Sequence, residues 1–383
     1  MLATGDDRYR ETVADYARMT ISKPLKPTSS LPCWSFSFTN LFLCEYYLAT
    51  GDSSVLKEIR RLTDHLVRGQ GPLGTWGHSF VDVKRNRLKG YGAVNAVGLP
   101  VAISLVLANE CGVEVEGLEN SIALSASFFR RHVHLGAIPY GDGPPNLQFG
   151  HDDNGKNSAA AIFFNLLGER EAAEYYVRTA LAAHGKDREQ GHTGNFFNMF
   201  WSMPAVSLAG PEASGAWLKE FGWYYDLARD NQLRFPYQGY PKQGKSSVYA
   251  KWDCPGAYLL HLAVPLKKLR ITGRNVKRPI SFTTEEIADA IAAGKWNYRE
   301  AKPADLQRGL ASWSPIVRKE SARELRRRKI PFVETKSLTA HKPLDRIAAL
   351  QATGEFPASA KLLEDSNDGV RIAAFKAMVR IDR

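Results

Sequence analysis

Leu2-Ala3-Thr4-Gly5-Asp6 returns almost at once as Leu48-Ala49-Thr50-Gly51-Asp52, 46 residues further on. A pentapeptide repeated at that interval means stacked supersecondary units, and this constrains the fold more than any other feature. Looser versions of the same turn follow at Gly112, Gly168, Gly210 and Gly273. Each sits where an apolar run ends and a charged amphipathic run begins, which is the place for a left-handed glycine helix cap.

Between these turns two kinds of helix alternate. Residues 34–49, 93–110, 157–167, 196–208 and 255–266 are apolar all round, rich in small and aromatic residues. Residues 7–19, 53–68, 115–132, 169–184 and 212–229 carry one apolar and one charged face. A helix apolar on every side is buried, and an amphipathic one covers it. Inner and outer helices in alternation predict an all-α fold, an α/α toroid over residues 1–275. Six turns imply six hairpins, but only five inner helices are present. The toroid is therefore expected to be incomplete, its first inner helix lying upstream of Leu2 or replaced by another segment. His132 and His134 are expected on the outer surface.

After about residue 275 the pattern changes. Lys277-Arg278-Pro279 reads as a linker and Ser281–Glu286 as a helix start. Residues 314–325 then align with 367–378 at an offset of 53, with Val-Arg at the same place in each. This resembles the second helix of HEAT repeats, so residues 276–383 are expected to be a short HEAT-like α-solenoid segment. Such repeats stack and rarely stand alone. The segment is expected to pack on the toroid or to grip a protein partner.

Bulk properties narrow the function classes. No apolar run reaches the ~18 residues of a membrane span. Met1–Asp6 has no basic-then-apolar leader, although a truncated start would leave export open. The net charge is +11, but the excess is spread along the chain, with 19 Lys+Arg against 14 Asp+Glu in residues 281–383. A nucleic-acid surface concentrates charge, so no nucleic-acid partner is expected. The four cysteines form no Cys-x-x-Cys pair.

Long loops precede the inner helices at 69–91, 133–156, 185–195 and 230–254, and so share one face of the ring. Loops this long in a compact domain are usually functional. Helix N-termini point to the same face and favour anions. The densest loop is Gly150-His151-Asp152-Asp153-Asn154-Gly155-Lys156-Asn157, where Asp153 or Asn154 is placed to cap the next helix. The others bring Trp34, Trp76, His78, Tyr91, Asn95, Tyr140, Asp142, His192, Asn195, Trp252 and Asp253. Aromatic faces stack on sugar rings and amides fork onto hydroxyls, so a polysaccharide or oligosaccharide is the expected ligand. Glycoside cleavage needs two carboxylates, and Asp152 or Asp153 facing Asp253 is the expected pair, with Asp142 in reserve. A lyase would use His151 or His192 as base instead. The binding residues would be Trp34, Trp76, His78, Tyr91, Asn95, Tyr140, Asp142, Asn154, Lys156, Asn157, Asn195 and Trp252. The competing reading is a non-catalytic scaffold that grips a glycan or a protein. No cofactor is expected in either case. A third reading converges Cys33, His151, His192, Asp253 and Cys254 on zinc, as in the toroids of protein prenyltransferases and lanthionine cyclases.

Trp34-Ser35, Trp76-Gly77-His78, Gly90–Ala96, Ile138–Asp142, His151–Asn157, Gly191–Asn195 and Trp252-Asp253 occur collinearly. As a set they resemble an uncharacterised bacterial toroid family, a domain of unknown function whose members are often exported and carry HEAT repeats or a PDZ domain. The resemblance covers roughly residues 30–275. It implies the toroid and brings no catalytic assignment. Similarity to six-hairpin glycosidases and terpenoid cyclases lies at the level of fold, which does not fix function.

Overall fold

The computed structural model describes residues 1–28, 31–90, 92–148, 150–189, 196–237, 252, 254–276, 279–331, 343, 346–347, 349–350 and 360–379. These residues form helices and loops, with two isolated antiparallel bridges and no strands. The fold is all-α.

The inner helices are α2 (Pro32–Thr50), α4 (Asn95–Glu110), α6 (Lys156–Leu167), α9 (Phe196–Ser207) and α11 (Pro255–Ala263). The outer ones are α1 (Arg10–Ser22), α3 (Leu56–Arg68), α5 (Leu118–Arg130), α7 (Arg170–Ala182) and α10 (Gly210–Leu227), with a short α8 (Lys186–Glu189). In α4 every residue from Asn95 to Ala108 is buried, whereas α3 buries one stripe, Ile59, Leu62 and Leu66 among it. The all-round apolar runs are therefore central and the amphipathic ones peripheral, as burial of apolar surface requires. α2 packs on α4, α4 on α6, α6 on α9 and α9 on α11. The row turns back on itself, because Trp34 and Phe38 of α2 stack on Phe197 of α9. At all six repeated turns the glycine is left-handed, from φ 63° at Gly5 to φ 95° at Gly273. A side chain there would be strained, which is why glycine recurs.

At the far end of the inner helices, the 3-10 turn Arg270–Thr272 lies across α2. Glu45 of α2 accepts from the backbone N–H groups of Arg270 (2.9 Å) and Ile271 (2.8 Å). Arg270 pairs with Glu110 at the end of α4. Burial pushes the Glu45 carboxyl from 4.5 up to about 7 against these bonds. A raised folded-state pKa makes the contribution to stability complete below about pH 4.5 and lost as pH rises through about 7. Relative to Glu45→Gln, the natural protein is expected to lose roughly 3 kcal/mol over that interval. Denaturant unfolding of both at pH 4.5 and 7.5 measures it, and a pH-independent difference would sink it.

Beyond residue 275, α12 (Thr284–Gly294) starts at a Thr283–Glu286 capping box and packs on α7 and α10. Ile280, Phe282, Ile287 and Ala290 belong to the main core, so that core continues past the boundary expected at 275/276. After α13 (Pro303–Gly309), the two aligned segments are both helices, α14 (Pro315–Arg327) and α15 (Asp368–Val379). In each, the aligned arginine donates back to the carbonyl six residues earlier: Arg318 to Ser312 and Arg371 to Asp365, both at 2.6 Å. That identical bond supports internal repetition. Leu135 of the loop after α5 packs with Ile347, Leu350 and Val370, joining α15 to the main body. His132, expected outside, is fully buried. It stands edge-on to Phe128 on α5; burial lowers its pKa, and the nearby charges of Arg131 and of Lys376 on α15 add to the shift. The C-terminal segment was expected to pack on the main body, but not to cover His132.

Candidate functional site

The loops before the inner helices do converge, and asparagines hold them together. Asn95, in the first turn of α4, donates to the carbonyls of Pro139 (3.0 Å) and Gly141 (2.6 Å) in the next loop. Its oxygen accepts from Thr75 at 3.0 Å. Asn157 of α6 accepts from the Ile138 N–H (2.9 Å) and donates to the His151 carbonyl (2.8 Å) and to Thr179 (3.2 Å). Asn198 of α9 accepts from the Gly155 N–H and donates to the Arg188 carbonyl at 2.6 Å. Buried loop backbone needs partners, and one amide at each helix start supplies them. Asn95 and Asn157, expected to fork onto sugar hydroxyls, are thus occupied by backbone.

The carboxylate that caps α6 is Asp152, not Asp153 or Asn154. Asn154 (φ 54°) and Gly155 (φ 67°) are successive left-handed residues that turn the chain back, so that Asp152 faces the helix start. It accepts from the Asn157 N–H (2.9 Å), the Ser158 N–H (2.9 Å) and the Ser158 hydroxyl (2.7 Å). Burial pushes its carboxyl from 3.8 up to about 6, which these bonds oppose. Asn154 is buried beside it. Lys156 is buried too, its ammonium on the Asp153 carboxylate and backbone carbonyl. Loss of water draws the Lys156 pKa down to about 7.

His151 is 4% exposed. Its Nε2 lies 2.8 Å from the Ser314 hydroxyl and its Nδ1 3.4 Å from Asp187, with Trp313 covering the ring. The start of α14 therefore seals this histidine from solvent, which the sequence reading of it as a base did not anticipate. Trp76, expected to stack on a ligand, has no exposed surface and donates to the Leu66 carbonyl at 2.8 Å. It is a core residue because loop 69–94 folds inward at that point, the Val94 N–H donating to the Trp76 carbonyl.

Among the described residues at this face, a group of aromatic side chains keeps some exposed surface. Trp34 donates to His78 Nδ1 at 2.8 Å and stacks on Phe197 at 5.2 Å. Phe196 adjoins Phe197 at 5.0 Å and meets Trp252 at 5.3 Å, and Trp252 meets Tyr237 at 6.0 Å. Phe197 is the buried base; Trp34, His78, Phe196 and Tyr237 are half-buried, and Trp252 is exposed. The sequence reading did not single out Phe196 for the site, and the ring also packs against the main core. Its position at the start of an inner helix, matching Trp34 on α2, was the signal available. Tyr140 and Asp153 line a separate groove of about 1160 Å³ against Ile372 and Phe375 of α15. Asp142 is exposed, its carbonyl held by Arg131. Tyr91, His192, Asn195 and Asp253 lie outside the described residues.

A family model described as a domain of unknown function, DUF6288, matches residues 1–273. The chain belongs to the DUF6288 family. The DUF6288 match spans α1 to α11 and stops just after the Arg270–Thr272 turn that ties down α2. Comparison with curated proteins and with solved structures gives no match. No described helix of this DUF6288 chain is long and apolar enough to cross a membrane. Among the described residues no three His, Cys, Asp or Glu side chains are grouped to hold a metal. Cys33 is buried, and burial pushes its thiol well up.

Proposed function

We propose that this DUF6288 protein is an α/α toroid that binds a glycan at the mouth formed by the N-terminal ends of its inner helices. The observation that supports the reading is the row of rings from His78 and Trp34, over the buried Phe197, to Phe196, Trp252 and Tyr237, in which every ring but Phe197 is half-buried or exposed. Aromatic rings held against one another, stacked from His78 through Trp34 to Phe197 and edge to face from Phe196 through Trp252 to Tyr237, offer broad, rigid apolar surface at little entropic cost. Sugar rings present matching apolar faces.

Cleavage requires two carboxylates flanking the scissile bond. Asp152 spends both oxygens on its own helix, and Asp153 is engaged by Lys156. The geometry therefore favours binding over hydrolysis. Of the donors named for zinc, His192 and Asp253 lie outside the described residues.

Affinity electrophoresis against a panel of soluble polysaccharides tests the proposal. Trp34→Ala and Trp252→Ala are each expected to weaken binding by roughly tenfold, the scale of one lost stacking face. Binding of no polysaccharide, or equal binding by both variants at unchanged melting temperature, overturns it.

A further inference from the structure

We infer that the glycan is anionic, its acid groups read by a preformed basic hairpin beside the aromatic row. This rests on the glycan-binding reading above. Three residues past His78, the chain leaves the mouth as a finger. Asp82 and Arg87 form an antiparallel bridge, with the Asp82 N–H donating to the Arg87 carbonyl at 2.9 Å. The turn between them is fixed from inside. The Asp82 carboxylate accepts from the N–H groups of Lys84 (3.1 Å) and Arg85 (3.3 Å), and Asn86 adopts a left-handed conformation. The base is anchored where the Val81 N–H donates to the Gly69 carbonyl at the end of α3.

Lys84, Arg85, Arg87 and Lys89 are all exposed on this finger. Among the described residues no carboxylate lies within ion-pair distance of any of them. Asp82, the one acid in the turn, is turned inward onto backbone. Val83 at the tip is 81% exposed, so the tip is not held by packing against the body. A charge run on a helix face is ordinarily only a solvated face. Here four cations of one sign are gathered on a shaped loop whose chain continues from a ring of the mouth. Such an arrangement repels itself unless an anion lies across it. Arginine forks match carboxylate and sulfate oxygens alike. Inner-helix N-termini at the mouth add positive potential in the same place. A polymer threaded along the ring row would bring successive acid groups past the finger at the spacing of its sugars.

The test compares binding of polygalacturonate, its fully methyl-esterified form, dextran and dextran sulfate to the full chain and to K84Q/R85Q/R87Q/K89Q, at low and moderate salt. The four side chains are exposed, so an unchanged melting curve checks that the variant folds. Polygalacturonate or dextran sulfate is expected to bind at least roughly tenfold tighter than its uncharged counterpart at low salt, and the quadruple variant to lose that preference. The polymer that wins identifies carboxylate or sulfate as the acid group. Equal affinity for charged and uncharged polymers overturns the anionic class and leaves glycan binding standing. Full preference retained by the variant overturns the finger. No binding by any polymer overturns both readings. Duplex DNA or polyglutamate binding as tightly as the acidic glycans, unaffected by Trp34→Ala, shows general polyanion attraction and also overturns it.

Discussion

Replacing Asp152 with alanine is expected to destabilise the protein by about 2–4 kcal/mol while leaving glycan affinity of the folded protein unchanged. The capping contribution alone is worth roughly 1 kcal/mol at an exposed helix start. Here the start is buried, and the N–H groups of Asn157 and Ser158 together with the Ser158 hydroxyl would lose their acceptor with no water to replace it. Each buried orphan costs about 1–3 kcal/mol, partly offset because the ionised carboxylate no longer has to be buried. Asp152→Asn keeps one acceptor oxygen and is expected to cost less than half as much. Thermal melting should show Asp152→Ala lower by roughly 5–10 °C. Polysaccharide affinity measured well below the melt separates the two roles. A variant as stable as the natural protein that no longer binds or turns over glycan would make Asp152 a site residue rather than a cap.

Arg318→Ala is expected to release the C-terminal helices from the main body. The Arg318 guanidinium is fully buried and donates to the carbonyls of Ser312 (2.6 Å), Trp313 (2.8 Å) and His134 (2.8 Å). The last of these crosses from α14 to the loop after α5. Burial lowers its pKa to about 10, so it remains charged at neutral pH. Truncation leaves three half-buried carbonyls without this donor and a cavity where the buried side chain stood, about 3 kcal/mol in all. The loss falls on one local contact, so limited proteolysis should cut near residues 312–330 before the main core unfolds. Hydrogen exchange should rise at His134 and His151. Arg371→Ala removes the equivalent i→i−6 bond in α15, where the side chain is 40% exposed, and should cost under about 1 kcal/mol. Equal effects at the two positions would mean that burial is not what makes Arg318 matter.

Much of the fold was legible in the chain. The Leu-Ala-Thr-Gly-Asp pair located the turns, because a helix that must stop and reverse needs a left-handed residue and glycine takes it cheaply. The contrast between 93–110 and 53–68 separated inner from outer helices, because burial on all sides and on one side leave different apolar patterns. The aligned Val-Arg segments located α14 and α15. What periodicity does not carry is which polar atoms meet. Asn95, Asn157, Asp152 and Trp76 looked like ligands' partners because they are polar or aromatic residues in loops or at the first turn of an inner helix. Their atoms are taken by backbone or core instead.

The sequence by itself determined the all-α class, the alternation of buried and covering helices, and the face on which the loops gather. Those follow from local rules, apolar spacing and turn chemistry, that act within a few residues. Only the tertiary structure decided that Asp152 caps, that His151 lies under Ser314 and Trp313, and that Phe196, Tyr237 and Trp252 pack together. Ser314 is 163 residues from His151. Whether a side chain faces water or another chain segment at that separation depends on how whole helices pack, and burial then sets both its hydrogen-bond partners and its charge.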